Sequence, residues 1–69
     1  SVDVREMGAL ETEIQELEKQ LAVLEKRAFE VTHSLEEARQ VEEERTAIAQ
    51  KIQQNYTRWE TLTEKLESA

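Results

Sequence analysis

The apolar residues of this chain are mirrored about a point near His33. Val4, Met7, Leu10, Ile14, Leu17, Leu21, Leu24 and Ala28 run up to it, and Ala38, Val41, Ile48, Ile52, Trp59 and Leu62 run away from it. From Met7 on in the first half, and in the second half once Arg45 and Asn55 are counted, they recur at alternating steps of three and four, the spacing that keeps one stripe on one face of a helix as positions a and d of a heptad. Opposing Val4 with Leu62, Met7 with Trp59, Ile14 with Ile52, Leu17 with Ile48, Leu24 with Val41 and Ala28 with Ala38 uses one constant register throughout. A single hairpin register satisfies that pattern, and the fold it points to is an all-α, two-helix antiparallel coiled-coil hairpin, with Tyr56 one turn before Trp59 covering the Leu10 side of the seam. Arg45 and Asn55 are its polar members, and a polar seam residue penalises misaligned pairings.

The competing fold is one long helix in a parallel dimeric coiled coil, about 100 Å in length at 1.5 Å per residue. The first-half heptad does continue through Val31, Leu35 and Ala38, but beyond them it places Glu42, Arg45 and Thr63 on the seam. Shifting the frame at Val41 recovers Val41, Ile48, Ile52, Trp59, Leu62 and Leu66. A hairpin explains this shift, because its two helices need not share a phase; a continuous coiled coil needs a discontinuity in the repeat.

The chain of 69 residues reads as one hairpin domain. Its first helix spans about residues 4–29, the turn about 30–33 and the second helix about 34–67. Asp3, with Glu6 three positions on, is the expected cap of the first helix. Val31-Thr32-His33 lowers helix propensity, and Ser34-Leu35-Glu36-Glu37 fits a capping box that starts the second. Gly8 opposite the indole of Trp59 is expected to make room for it, since Gly in a helix otherwise costs about 1 kcal/mol relative to Ala. Glu11, Glu18, Lys19, Glu25 and Lys26 are placed on the face away from the seam.

Composition bounds what such a scaffold does. With 36% charged residues, a net charge of -7 and a pI near 4.7, the chain does not bind phosphate backbones through its overall charge, because that affinity comes from Lys and Arg displacing counterions. No apolar run approaches the ~20 residues that cross a bilayer, so no membrane contact is expected, and a cytoplasmic location is the default expectation. Without Cys, and with His33 as the one His, the ordinary zinc ligand sets are excluded. One Gly makes no phosphate loop, and there is no Ser-His-Asp or Cys-His set. The chain therefore reads as no enzyme, with no catalytic, cofactor or metal residues of its own. Lys26, Arg27, His33 and Arg39 gather at the expected hairpin tip as possible contacts, interspersed with Glu25, Glu30, Glu36 and Glu37. Met7, Leu10, Ile14, Leu17, Leu21, Leu24, Val41, Ile48, Ile52, Tyr56, Trp59 and Leu62 are the seam.

The order Leu10-Glu11-x-x-Ile14-x-x-Leu17-Glu18-x-x-Leu21-x-x-Leu24-Glu25, a short turn, then Ile48-x-x-x-Ile52-x-x-x-Tyr56-x-Arg58-Trp59-Glu60-x-Leu62 resembles the C-terminal coiled-coil hairpin of ABC-F proteins, including the Uup-like branch. Arg58-Trp59-Glu60-x-Leu62 is the distinctive portion. The resemblance implies a noncatalytic accessory arm of a tandem ATP-binding cassette ATPase of translation, with the ATP sites in domains this chain lacks. It further implies a monomeric hairpin that contacts the ribosome or nucleic acid. The turn Glu30-Val31-Thr32-His33 departs from that pattern in having no Asp, Pro or Gly. The alternative reading is a structural coiled-coil segment that mediates association or spacing of protein partners.

Overall fold

The computed structural model describes residues 1–30 and 34–68. They form two α-helices, α1 (Val2–Glu30) and α2 (Leu35–Glu67), packed side by side as an antiparallel hairpin. The molecule measures 55 × 14 × 14 Å, roughly half the length that one continuous helix of this sequence would reach. The long parallel-dimer helix is thereby replaced by an intrachain pair. Glu30, expected in the turn at 30–33, is instead the last residue of α1, and residues 31–33, His33 among them, lie outside the described residues.

Local sequence accounts for the helix ends. Ser34 has extended backbone, and its Oγ accepts from the Glu37 N–H at 3.1 Å, which satisfies one of the donors left unpaired at a helix start. At the other helix the cap differs from the expected one: Ser1 Oγ accepts from the Val4 N–H at 3.3 Å and its carbonyl from the Arg5 N–H at 3.1 Å. Asp3 lies inside the first turn, where a carboxylate suits the positive end of the helix dipole. Threonines in the helix interiors are satisfied locally. The hydroxyls of Thr12, Thr57, Thr61 and Thr63 donate to carbonyls one turn back, at Gly8, Gln53, Thr57 and Trp59.

The core is a seam. Ile14, Leu17 and Leu24 of α1 and Val41 and Leu62 of α2 are buried, while Met7, Leu10, Leu21, Ile48, Ile52 and Trp59 are half-buried beside them. Four expected seam members lie elsewhere, Tyr56 of α2 among them. Val4 is 57% exposed, because toward that end the inward stripe of α1 passes through Asp3 and Glu6 instead. Asp3, seven residues before Leu10, holds the heptad position that Val4 misses by one, and cross-helix ion pairs at Asp3 and Glu6 hold this orientation. Ala28 and Ala38 are exposed, so the buried seam ends at Leu24 and Val41.

Gly8 does not make room for the indole. A Cβ built on it meets no atom within 4 Å, so the residue carries the entropic cost of helical glycine without a packing return. Gly8→Ala is accordingly expected to raise stability by about 1 kcal/mol, read as a higher midpoint in thermal unfolding. A lower midpoint would mean that the site is closed by a neighbour.

Candidate interaction surfaces

Two regions carry chemistry beyond the seam: the tip, and the stretch of α2 that contains Tyr56, Arg58 and Trp59. At the tip, Arg39 is held between two carboxylates. Its Nε and Nη2 donate to Glu36 Oε2 and Oε1 at 3.2 and 2.6 Å, and its Nη1 to Glu43 Oε1 at 2.5 Å. The Glu36 hydrogen bonds, then the Glu43 charge, push the Arg39 guanidinium above its usual range. Arg27 Nη2 reaches across to Glu37 Oε1 of α2 at 3.6 Å. Lys26 is exposed, and the fourth expected tip contact, His33, lies outside the described residues. Phe29 and Leu35, each 88% exposed, flank the tip with apolar surface that the sequence reading did not single out.

Further along α2, Arg45 is half-buried. Its head is fixed by Glu42, with Nε to Oε2 at 2.9 Å and Nη2 to Oε1 at 2.6 Å. This hydrogen bonding lowers the Glu42 carboxyl and raises the Arg45 guanidinium from their ordinary ranges.

The distinctive run Arg58-Trp59-Glu60-x-Leu62 closes the hairpin. Arg58 grips Glu6 of α1 through both carboxylate oxygens, Nε to Oε1 at 2.9 Å and Nη2 to Oε2 at 3.0 Å, the fork geometry in which Arg exceeds Lys. Trp59 Nε1–H donates to Glu11 Oε1 at 2.9 Å, and Leu62 fills the seam below. Lys65 Nζ to Asp3 Oδ2 at 3.0 Å completes the clamp.

Tyr56 departs from its expected position. It is 41% exposed and leans toward the tip side, where its hydroxyl donates to Glu18 Oε1 at 2.9 Å, a bond that raises the phenol above its usual range. Glu11 and Glu18 consequently do not face away from the seam. Each follows a seam residue, Leu10 or Leu17, by one position, and a side chain of that length placed on the seam's flank reaches the partner helix. The signal for this was present in the flanking charges, since Glu and Arg beside a seam are the usual cross-helix partners.

The Arg58 hydrogen bonds hold the Glu6 carboxyl below the ordinary carboxylate range. A group whose pKa is depressed by folding adds stability that is present above its unfolded pKa and is lost as pH falls through its folded one. Glu6→Gln should therefore melt below wild type at neutral pH, and the two midpoints should converge as acidification passes below about pH 4. A gap that persists in acid would assign the contribution of Glu6 to something other than its charge.

Among the described residues, no three His, Cys, Asp or Glu side chains gather where a metal ion would sit. Among the same residues, no helix is long and apolar enough to cross a membrane. No family model, curated protein or solved structure matches the chain. What the fold and these surfaces define is a class: an all-α helical hairpin whose aromatic and charged residues in α2 lock it to α1.

Proposed function

We propose that this chain is a noncatalytic interaction arm, a short rod whose charged faces and tip engage protein partners. The observation that carries this reading is the state of the tip cations. Arg39 sits between Glu36 and Glu43, and Arg27 faces Glu37, so a phosphate backbone has to compete with carboxylates already in place. The net charge of -7 opposes the same contact at longer range. A hairpin whose seam and clamp both lie within one chain leaves its outer faces for partners and spaces them along 55 Å.

A second reading is favoured by Arg58-Trp59-Glu60-x-Leu62 and the resemblance it carries: the accessory arm of an ABC-F-type ATPase, cytoplasmic, contacting ribosome or nucleic acid. One pair of measurements separates the two, anisotropy with fluorescent RNA and DNA duplexes and co-sedimentation with ribosomes, both at physiological ionic strength. The protein-partner arm predicts no binding in either. Salt-dependent binding that is lost when Lys26 and Arg39 are replaced by Glu, with the helical signal intact, would overturn it in favour of the nucleic-acid arm.

A further inference from the structure

One groove on the rod combines residues of the seam and the clamp with two flanking carboxylates. It is a shallow, open groove of about 310 Å³ lined by Glu11, Ile14, Gln15, Glu18, Tyr56 and Trp59. Two aromatic rings stand on the α2 side and two carboxylates on α1 lie two turns apart, roughly 10 Å along the axis, with Ile14 almost wholly buried between them in sequence. No Lys or Arg lines it. The neighbouring cation in sequence, Arg58, is occupied by Glu6. A second groove, formed by Gln20, Val23, Leu24, Glu44 and Ile48, has one carboxylate and no ring.

The rings are also held in place. Trp59 donates its one N–H to Glu11 Oε1 and Tyr56 its hydroxyl to Glu18 Oε1, so each ring is tied to the carboxylate nearest it. Each of these carboxylates uses Oε1 for the ring, which leaves Oε2 to accept from a ligand. Aromatic surface attracts cations through the ring quadrupole, and prior fixation of the rings reduces the ordering cost of binding.

From this arrangement we infer that the Tyr56–Trp59 groove is a docking site for an arginine-bearing segment of a protein partner. The guanidinium lies against the rings and donates to Glu11 or Glu18. Charge complementarity selects a cation, and planarity selects Arg over Lys. A guanidinium is flat, weakly hydrated and able to stack while its edge donates, whereas an ammonium is a compact and strongly hydrated point charge. The site rests on the interaction-arm reading and specifies the partner chemistry.

Trp59, the chain's one tryptophan, reports on the groove directly. The probe is a short acetylated Gly-Arg-Gly-Gly-Arg-Gly amide titrated against the 69-residue chain, beside its Lys and citrulline counterparts and tetramethylammonium chloride. The expected result is saturable change in Trp59 fluorescence with the Arg peptide, weaker with Lys and absent with citrulline. The double variant Glu11→Gln, Glu18→Gln should bind about tenfold more weakly, the loss of a charge-assisted hydrogen bond, with circular dichroism showing it folded. Glu36→Gln at the tip, away from the groove, should bind as wild type. Equal binding by Arg and Lys peptides, binding that survives the double variant, or saturation by tetramethylammonium as readily as by the Arg peptide would each overturn the inference. If the groove variant unfolds, Tyr56→Leu serves instead, since it removes a ring while keeping apolar cover, and wild-type affinity in it would overturn the site. Failure here alongside absent RNA and ribosome binding removes the groove assignment and leaves the protein-partner arm. Tip-dependent RNA binding removes the arm reading itself.

Discussion

Leu62→Ala is expected to lower the thermal unfolding midpoint by at least about 10 °C, the largest effect of any single truncation in this chain. Leu62 is 1% exposed and is the one side chain enclosed on all sides among the described residues. Truncating a buried leucine costs about 2–5 kcal/mol, the lost transfer energy plus the cavity left behind. A two-helix seam in a chain this short supplies only about 3–5 kcal/mol in total, so the loss consumes most of the margin. Helical circular dichroism followed against temperature is the measurement, with half-buried Leu66→Ala as a milder comparison. A Leu62→Ala midpoint equal to wild type would mean that α2 does not turn this face to α1. A midpoint that rises with protein concentration would point to association between chains instead.

Asn55→Leu is expected to act in the opposite sense. The Asn55 Nδ2 is enclosed in the seam with no hydrogen-bond partner, and a buried donor left unpaired costs about 1–3 kcal/mol. Leucine removes that cost and adds apolar contact with α1, so the midpoint should rise by about 4–8 °C for each kcal/mol recovered. The gain should come with weaker specification, because a polar seam residue disfavours shifted pairings that an all-apolar seam accepts. Spin labels on Arg5→Cys and Thr61→Cys, in double-labelled chains diluted with unlabelled protein, read this directly. Wild type should give a narrow distribution at about 10–20 Å, as helix axes packed 8–10 Å apart allow, and Asn55→Leu a broader one. A lower midpoint for Asn55→Leu would show that the amide is satisfied in solution and contributes to the seam.

These two residues mark how far the sequence could be read. Leu62 and Val41 were placed on the seam by spacing alone, and both are almost wholly buried. Ser34 was placed as a cap by its neighbours, and its Oγ accepts as a cap does. Positions near the ends were less legible. Ala28 fits the heptad as well as Leu17 does, yet it is exposed, and Val4, one place off the heptad position that Asp3 holds, is exposed too. Periodicity assigns a face, but it does not say where along the seam two helices stay in contact.

The surfaces were harder still. Glu11 and Glu18 look like solvated helix charges in a linear pattern, and the groove they form with Tyr56 and Trp59 exists only when α2 lies beside α1. Arg58 in sequence is one basic residue among acidic ones. In the fold it is the far half of a clamp on Glu6, 52 residues away.

By itself the sequence determined that this protein is two amphipathic helices with a shared apolar register, because helical period and capping are local properties of residues a few positions apart. Only the tertiary structure decided which charges meet across the rod, where the seam ends, and that two carboxylates and two aromatic rings share one groove. Those outcomes depend on the rotation and offset of one helix against the other, and they are set by contacts between residues that are distant in the chain.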